Sequence, residues 1–306
     1  MPTPVSILIL TKNEEQDLPG CLETVSWSDD IHVYDSFSED GTLGIAEAAG
    51  AKVTQRRFDN WAAHQNWALC NIPFTHPWVL YIDADERVSP ELARSVAECM
   101  IAPPDVAAFS LQRRDFLGET WLKHVQTSPF YLRLFRPERM RYERLVNPIS
   151  LPDGPVRQIE GFLDHYPCSK GFSHWLDRHN SYSSLEARQI IENRRRNGRF
   201  SLRKALRASD FHEKRFHQKE LFYRLPLRPV LKFLLLYVAK RGFLDGRAGL
   251  TYSLLQSFYE YMIVLKTREF ERALRAEDLP QSRGAENVAE NVAENMAENV
   301  AENVVE

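Results

Sequence analysis

Asp83, Ala84, Asp85 and Glu86 interrupt the stretch WVLYIDADER (78–87), in which an apolar run ends in three acids. Two carboxylates spaced i, i+2 at the end of a strand concentrate negative charge, and they need a cation or a set of hydrogen-bond donors to be tolerated. Oxygen ligands suit a hard ion, Mg2+ or Mn2+, of the kind that bridges protein carboxylates to substrate phosphates. The alternative is that these acids only decorate the loop before a helix capped by Ser89. Similar polar endings recur upstream. The apolar run VSILIL leads into TKNEE (Thr11–Glu15), DIHVYDS delivers Asp35 with Asp40 close behind, and AKVTQRR leads into RRFDNWAAHQNWAL with Gln65 and Asn66. If these runs are strands of one open sheet, all of these groups reach the same edge, where α/β sheets collect ligands. Carboxylates and amides there can hold a base and a ribose while a metal holds the phosphates.

The elements needed to bring those groups together are legible as alternation. VSILIL is short, apolar and rich in β-branched residues, as expected of a buried strand. DIHVYDS, AKVTQRR and WVLYI read as further strands. DGTLGIAEAAG reads as a helix closed by Gly50, NWAAHQNWALC as a second helix, and SPELARSVAECMIA as a third, with Ser89 as cap and Pro90 at its first turn. Strand and helix in alternation predict an α/β sheet with helices on both faces. VAAFSLQRR and YLRLFRP are expected to add strands. With 306 residues and 43% hydrophobic content, the chain can bury a sizeable core. Cys21, Cys70, Cys99 and Cys168 are too scattered for a metal knuckle or redox pair, which points to a reducing, cytoplasmic setting. MPTPVSILIL lacks the basic start and cleavage site of an export leader, so none is expected there.

From Gly171 the pattern becomes helical. Arg194, Arg195, Arg196, Arg199, Arg203, Lys204 and Arg207 crowd one stretch. With no nucleic-acid module beside them, they are expected to form a solvated face or to meet anionic lipid, not nucleic acid. FLLLYVA is far shorter than the about 20 apolar residues that cross a bilayer, and Ala248–Leu265 contains Gln256 and Glu260. Both runs are flanked by cations: Arg224, Arg228, Lys232, Lys240, Arg241 and Arg247. These features predict helices lying in a membrane interface, and a pair of core helices is the alternative. Asp245 and Gly246 read as the tight turn between them. From Ala285 the tetrapeptide repeat AENV carries six Glu and no Lys or Arg, so a net charge of −3 becomes +3 without it. Its apolar stripe drifts around a helix and its glutamates stack at i, i+4, so it is expected to be disordered and dispensable.

As a set, SILILTKNEEQDLPGCLETV, VYDSFSEDGT, HQNWAL and YIDADERVSPEL resemble the family 2 glycosyltransferases of the GT-A fold. Within that family they resemble bacterial lipopolysaccharide-core and exopolysaccharide (colanic-acid type) transferases. YLRLFRP, LVNPI, HYPCSKGFSHWLDRHNSYSSLEA and RPVLKFLLLYVAKRGFLDGRAGLTY extend the resemblance over about residues 4–270. The resemblance implies a GT-A, Rossmann-like mixed sheet flanked by helices over 1–170 and a helical membrane-associated region over 171–275; the repeat itself marks the acidic tail over 276–306. It implies an inverting, metal-dependent transfer of a sugar from a nucleotide-diphosphate donor, most simply a UDP-sugar. The acceptor would be a lipid-linked or lipopolysaccharide glycan, met at the inner face of the cell membrane, to which the protein would be peripherally attached.

By matching position, the resemblance puts Thr11, Asn13 and Glu14 beside the base, Asp35 on uracil or ribose, and Gln65 and Asn66 near the donor. Asp83 and Asp85 match the D-x-D pair, with Asp85 favoured for the metal, and Glu86 extends the cluster. Relatives often carry a Glu after the last core strand, where ERLVNPIS has Pro148. The general base therefore falls to Glu143 or Asp115, with solvated loop acids as the alternative for both. His165 is a candidate further metal or phosphate contact, or a structural histidine. Trp175, His179 and Tyr182 share one helix face and would line the acceptor side or pack on the sheet. Two rivals stay open: a sugar-nucleotidyltransferase, although TKNEE lacks the glycine-rich loop that enzyme would need, and a non-catalytic membrane-associated scaffold.

Overall fold

A computed structural model describes residues 3–101, 105–143, 148–195, 201–203, 217–218 and 221–277. The AENV tail and most of the arginine-rich stretch after Arg195 lie outside them. The chain divides into two compact units: one runs to Lys123 and resumes over Thr127–Gly171, and the other joins His124–Gln126 to the chain from Phe172 on.

The first unit is built on a mixed sheet of nine strands among the described residues. VSILIL forms β1 (Ser6–Thr11), followed by α1 (Leu18–Thr24), β2 (Ile31–Asp35), α2 (Thr42–Ala48), β3 (Lys52–Gln55), α3 (Trp61–Asn71), β4 (Val79–Asp83), β5 (Glu86–Val88) and α4 (Pro90–Glu98). Then come β6 (Ala108–Leu117), β7 (Thr120–Trp121), β8 (Phe130–Phe135), β9 (Met140–Glu143), β10 (Ile149–Pro152) and β11 (Val156–His165). The order is β3-β2-β1-β4-β8-β6-β11-β5, with β7 on β6 and β9–β10 a separate ribbon. β1 to β4 are mutually parallel, as are β6 and β11, while β8 runs antiparallel between β4 and β6. This is the mixed, helix-flanked sheet expected of the sequence.

Because β1 and β4 are covered on both faces, they are apolar at nearly every position, as buried parallel strands must be. Successive side chains point to opposite faces. Ile7, Ile9, Leu80 and Ile82 therefore pack with Leu18 and Cys21 of α1 and Leu92 and Val96 of α4, while Leu8, Val79 and Tyr81 pack with Ala62 and Ala68 of α3. Ser89 caps α4 as its sequence predicts: its Oγ accepts from Leu92 N at 3.2 Å, and it also accepts from Phe162 N at 3.1 Å. That second bond ties β11 to the start of α4. The approach is close enough to need glycine at 161, where φ is +94° and a Cβ would lie 2.4 Å from Leu92 N.

The second unit is helical. α5 (Gly171–Arg195) is followed, after a gap in the described residues, by α6 (Arg228–Phe233), which continues as a π-turn over Leu234–Ala239. A 3-10 turn at Gly242–Asp245 reverses the chain into α7 (Gly246–Glu277), with Gly246 at φ +61°. The expected Asp245–Gly246 turn is thus present, and Asp245 does more than turn. Its buried carboxylate accepts from His124 N at 3.0 Å, Val125 N at 2.8 Å and His124 Nδ1 at 2.6 Å. A buried ion pair between Arg228 and Glu260 (2.6 Å) and the Ser257 Oγ–Pro229 O bond (2.6 Å) join α6 to α7. Among the described residues no helix is long and apolar enough to cross a membrane.

Candidate active site

The parallel register of β1, β2 and β4 ends their polar residues in a row. Thr11 is paired with Asp35, and Leu10 with Asp83. Thr11 Oγ1 donates to Asp35 Oδ1 at 2.9 Å, Ser38 N donates to Asp35 Oδ2 at 2.8 Å, Gln55 Nε2 donates to Oδ2 at 3.0 Å, and the Ser38 hydroxyl adds a further bond. The fully buried Asp35 carboxylate therefore organises the loop after β2. Asn13, at φ +54°, donates from its N to Ser38 Oγ (2.8 Å) and accepts from Glu39 N (2.8 Å), so the loops after β1 and β2 form one braced rim. Phe37 is held in that rim at φ +62°, a conformation that costs a non-glycine residue about 1 kcal/mol. Its ring is 45% exposed, with the Arg57 guanidinium 6.0 Å from its centre.

Asp83 ends β4 and Asp85 lies in the turn before β5. Their side chains are 34% and 20% exposed, so both reach solvent at the sheet edge. Gln65 Nε2 donates to Tyr81 Oη (3.2 Å), which donates to Asp83 Oδ1 (2.9 Å), while Arg133 Nη2 donates to Asp83 Oδ2 (2.9 Å) and Glu86 Oε1 (3.1 Å). Glu86 is fully buried, and its Oε2 accepts from Asp83 N at 2.9 Å, which fixes the turn that carries Asp85.

Strand pairing explains why residues 85, 115 and 165 meet. β11 lies between β5 and β6, and His165 is opposite both Glu86 and Asp115 in register. Directly opposed residues put their side chains on one face. His165 Nδ1 is 2.5 Å from Asp115 Oδ1, and its Nε2 is 3.3 Å from Asp85 Oδ2. Burial works against a charge on this imidazole, but the bonds to Asp115 and Asp85 outweigh it and raise His165 to about 9. Burial raises Glu86 to about 7 against the pull of Arg133. Burial also raises Glu14 to about 7 against Lys170, whose Nζ is 2.7 Å from Glu14 Oε1. Glu14 Oε2 is buried with no hydrogen-bond partner. The edge thus holds more carboxylate than burial tolerates comfortably.

Asp83 and Asp85 are the residues that could hold a divalent ion. Their oxygens are hard donors, partly exposed and two residues apart. Among the described residues no group of three or more His, Cys, Asp or Glu is arranged to hold a metal alone. An ion here would draw its remaining ligands from phosphate and water, the usual habit of Mg2+.

The other expected site residues fall as follows. Gln65 is buried, and its Oε1 has no partner. Asn66 spends both polar atoms on Tyr142, accepting from its N and donating to its O at 2.8 Å, and so pins β9. Asp115 is 3% exposed and is occupied by His165 and by Arg113 Nε at 3.2 Å, so its carboxylate is not open to an acceptor hydroxyl. Glu143 is exposed at the end of β9, with Arg141 3.2 Å away. Pro148 follows 144–147, which lie outside the described residues. In the second unit Trp175 is buried and stacks on His179 with ring centres 3.7 Å apart. Burial lowers His179 to about 4, and Tyr259 meets its ring edge-on at 5.0 Å. These two residues are packing elements of their own helix pair, with exposed Phe172 and Tyr182 at either side. Sequence reasoning missed Arg133, Lys170 and Phe37. An arginine in the middle of an otherwise apolar strand, as in FYLRLF, was a usable signal for the first.

Comparison with known proteins bears on this geometry. The glycosyl transferase family 2 model matches residues 6–159, the span from β1 into β11. The chain is 26% identical over 269 residues to the lipopolysaccharide core biosynthesis glycosyltransferase LpsC of Rhizobium meliloti (strain 1021), covering 82% of this chain and 90% of that protein. It is 22% identical over 281 residues to an uncharacterized glycosyltransferase of Rickettsia typhi, covering 87% of each. Among solved structures, it is similar to glucosyl-3-phosphoglycerate synthase from Mycobacterium tuberculosis, with 19% identity and a TM-score of 0.32. That match covers 36% of this chain and 44% of the synthase, less than half its length. Thr11, Asp35, Asp83 and Asp85 all lie inside the matched span, and the chain belongs to glycosyl transferase family 2.

Proposed function

We propose that this family 2 glycosyltransferase moves a sugar from a UDP-sugar to a hydroxyl of a lipid-linked or lipopolysaccharide glycan, with inversion, at the inner face of the cell membrane. The observation that carries this reading is the row of polar strand ends, in which Asp83 and Asp85 are solvent-accessible on a braced rim built by Thr11, Asn13 and Asp35. The rim would take the nucleoside, with Phe37 and Arg57 offering flat faces to the base. Asp83 and Asp85 would hold Mg2+ or Mn2+, which when bound stabilises the negative charge gathering on the departing diphosphate.

The chemistry is one displacement. The acceptor oxygen forms a bond to the anomeric carbon as the carbon–phosphate-oxygen bond breaks, the electron pair leaves with the diphosphate, and the acceptor proton passes to a base. Glu143 is the base we assign, because it is exposed and Asp115 is not. Asp115 acts instead as a positioning residue, orienting His165 toward Asp85. Holding two substrates in line supplies much of the remaining acceleration.

A thermal-shift titration tests the reading. UDP with Mg2+ or Mn2+ raises the melting temperature by mass action, EDTA removes the effect, and Asp85→Ala loses both the shift and transfer while remaining folded. A purified Asp85→Ala protein with full activity and an undiminished shift refutes it. Screening UDP-, GDP- and dTDP-sugars in the same format identifies the donor.

A further inference from the structure

The helical hairpin of the second unit is built inside out. On α7 the buried positions include Gly249, Ser253, Glu260 and Thr267, together with Ile263. The outward positions are Leu250, Leu254, Phe258, Tyr261 and Leu265, 37% to 53% exposed, at steps of four and three that keep them on one face. The polar residues inside have partners within the hairpin: Ser253 Oγ donates to Gly249 O at 2.7 Å, Thr267 Oγ1 donates to Ile263 O at 2.7 Å, and Glu260 Oε1 lies 2.6 Å from Arg228 Nη2 as an ion pair. The partner segment repeats the arrangement, with Val230, Leu234 and Val238 at steps of four and 47% to 54% exposed. At the turn, Phe243 and Leu244 stand 48% and 54% exposed. A soluble helix normally shows the reverse pattern, and apolar rows of this extent mark an interaction surface.

The charge around the hairpin selects the partner. The hairpin Arg228–Glu277 carries nine Lys or Arg and five acids. Around its turn lie Lys232, Lys240, Arg241 and Arg247, outside the buried Arg228–Glu260 pair, and the one acid between them, Asp245, is buried against His124 and Val125. Lys240, Arg241 and Arg247 bracket the exposed Phe243–Leu244 tip. Apolar side chains at a tip collared by cations suit a surface that is greasy beneath an anionic layer. We propose that the outward face of the Arg228–Glu277 hairpin docks in the plane of an anionic phospholipid leaflet, with Phe243, Leu244 and the α7 row in the acyl boundary and the cations on the phosphates. This names the surface and lipid chemistry for the membrane attachment of the reading above. It does not depend on which sugar is moved.

The test uses the full chain in vesicle co-sedimentation, with phosphatidylcholine alone and with added phosphatidylglycerol. The expected result is at least about tenfold stronger partitioning when the anionic lipid is present, weakened by salt. Leu254→Glu with Phe258→Glu lowers it at least about tenfold, and Lys240→Glu with Arg241→Glu removes the preference for phosphatidylglycerol. The second pair leaves the apolar row intact and so serves if the first fails to fold. The UDP-induced melting shift is measured on every variant. If the wild type shows the shift but no vesicle binding, the docking surface is wrong and the transferase reading stands; a variant that loses binding and keeps the shift is folded and supports the surface. No partitioning of the wild type, or a face covered by self-association that the same Leu254 and Phe258 changes dissolve, overturns the proposal.

Discussion

His64 offers a quantitative check on how the rim beneath the donor edge is held. It is 1% exposed, stacks on Tyr34 with ring centres 4.2 Å apart, and presents Nδ1 to Arg56 Nη1 at 3.1 Å. Burial, helped by the nearby Arg56 charge, lowers it from 6.5 to about 4. A histidine kept neutral by folding contributes stability that is fully present above 6.5, its value in the unfolded chain, and is lost as pH falls toward 4. The gap between 6.5 and about 4, at about 1.4 kcal/mol per pH unit, amounts to about 3 kcal/mol in full and about 2 kcal/mol by pH 5. In His64→Gln the group no longer titrates. The stacking lost with Tyr34 lowers stability at every pH alike, so the informative quantity is the wild-type-minus-variant difference. Urea unfolding at pH 7.5, 6 and 5 should show that difference shrinking by about 2 kcal/mol across the range, or about 4–8 °C in melting temperature. His32 and His179, also lowered by burial, cancel in the subtraction. A difference flat to within about 0.5 kcal/mol would show that the imidazole takes up a proton inside the fold, and the account of the Tyr34–His64–Arg56 stack would fail.

Three further outcomes follow from particular contacts. Gly161→Ala should cost about 3 kcal/mol, because its Cβ meets Leu92 backbone at a positive φ. Gly118→Ala, also at positive φ but in open space, should cost only about 1 kcal/mol; equal values in chemical denaturation would refute the close approach of β11 to α4. Tyr81→Phe removes the hydroxyl between Gln65 and Asp83 and should weaken metal-dependent UDP binding by about tenfold in calorimetry. An unchanged Kd would dissociate Asp83 from the donor. Asp245→Asn exchanges a carboxylate oxygen for a donor where His124 and Val125 already donate, and should destabilise the helical unit by about 3 kcal/mol by circular dichroism melting; a loss under about 0.5 kcal/mol would mean the clamp is ornamental.

The parts of the site that were readable in the sequence are those in which a local pattern forces the outcome. An apolar strand buried on both faces must shed its polar residues at its ends, so Thr11, Asp35 and Asp83 could be placed on one edge before any coordinates. Ser89 and Pro90 announce a helix start for the same local reason. β11 was invisible because VRQIEGFLDH is charged and only partly buried, held by its neighbours on both sides and not by its own apolar content. His165 could therefore be named as a candidate, but its partners could not, since they depend on register with strands 50 and 80 residues away. The burial of Asp115 was hidden for the same reason. As a sequence it is an acid after a strand, and only pairing with β11 buries it on an imidazole. The apolar row of α7 was half legible: its sequence reads as an interfacial helix or as a core helix, because periodicity reports that a face is apolar and only packing reveals which way it turns.

The same pairing accounts for how the site carries so many acids. Glu14, Asp83, Asp85, Glu86 and Asp115 converge where four parallel strands and one antiparallel partner end, and each has an answering cation supplied from elsewhere in the sheet or the following loop: Lys170 for Glu14, Arg133 for Asp83 and Glu86, His165 for Asp85 and Asp115. Buried charges persist only when paired, and a broken pair costs more than an unbuilt one. Arg133 is buried and His165 and Lys170 are partly covered, while Asp83 retains 34% exposure and Asp85 20%. The two most exposed carboxylates of the cluster are the two in D-x-D spacing; Glu14 is slightly more covered and held by Lys170, and Glu86 and Asp115 are turned inward. The sheet thus neutralises the acids it needs for its own cohesion and leaves this pair able to exchange a protein partner for a ligand from outside.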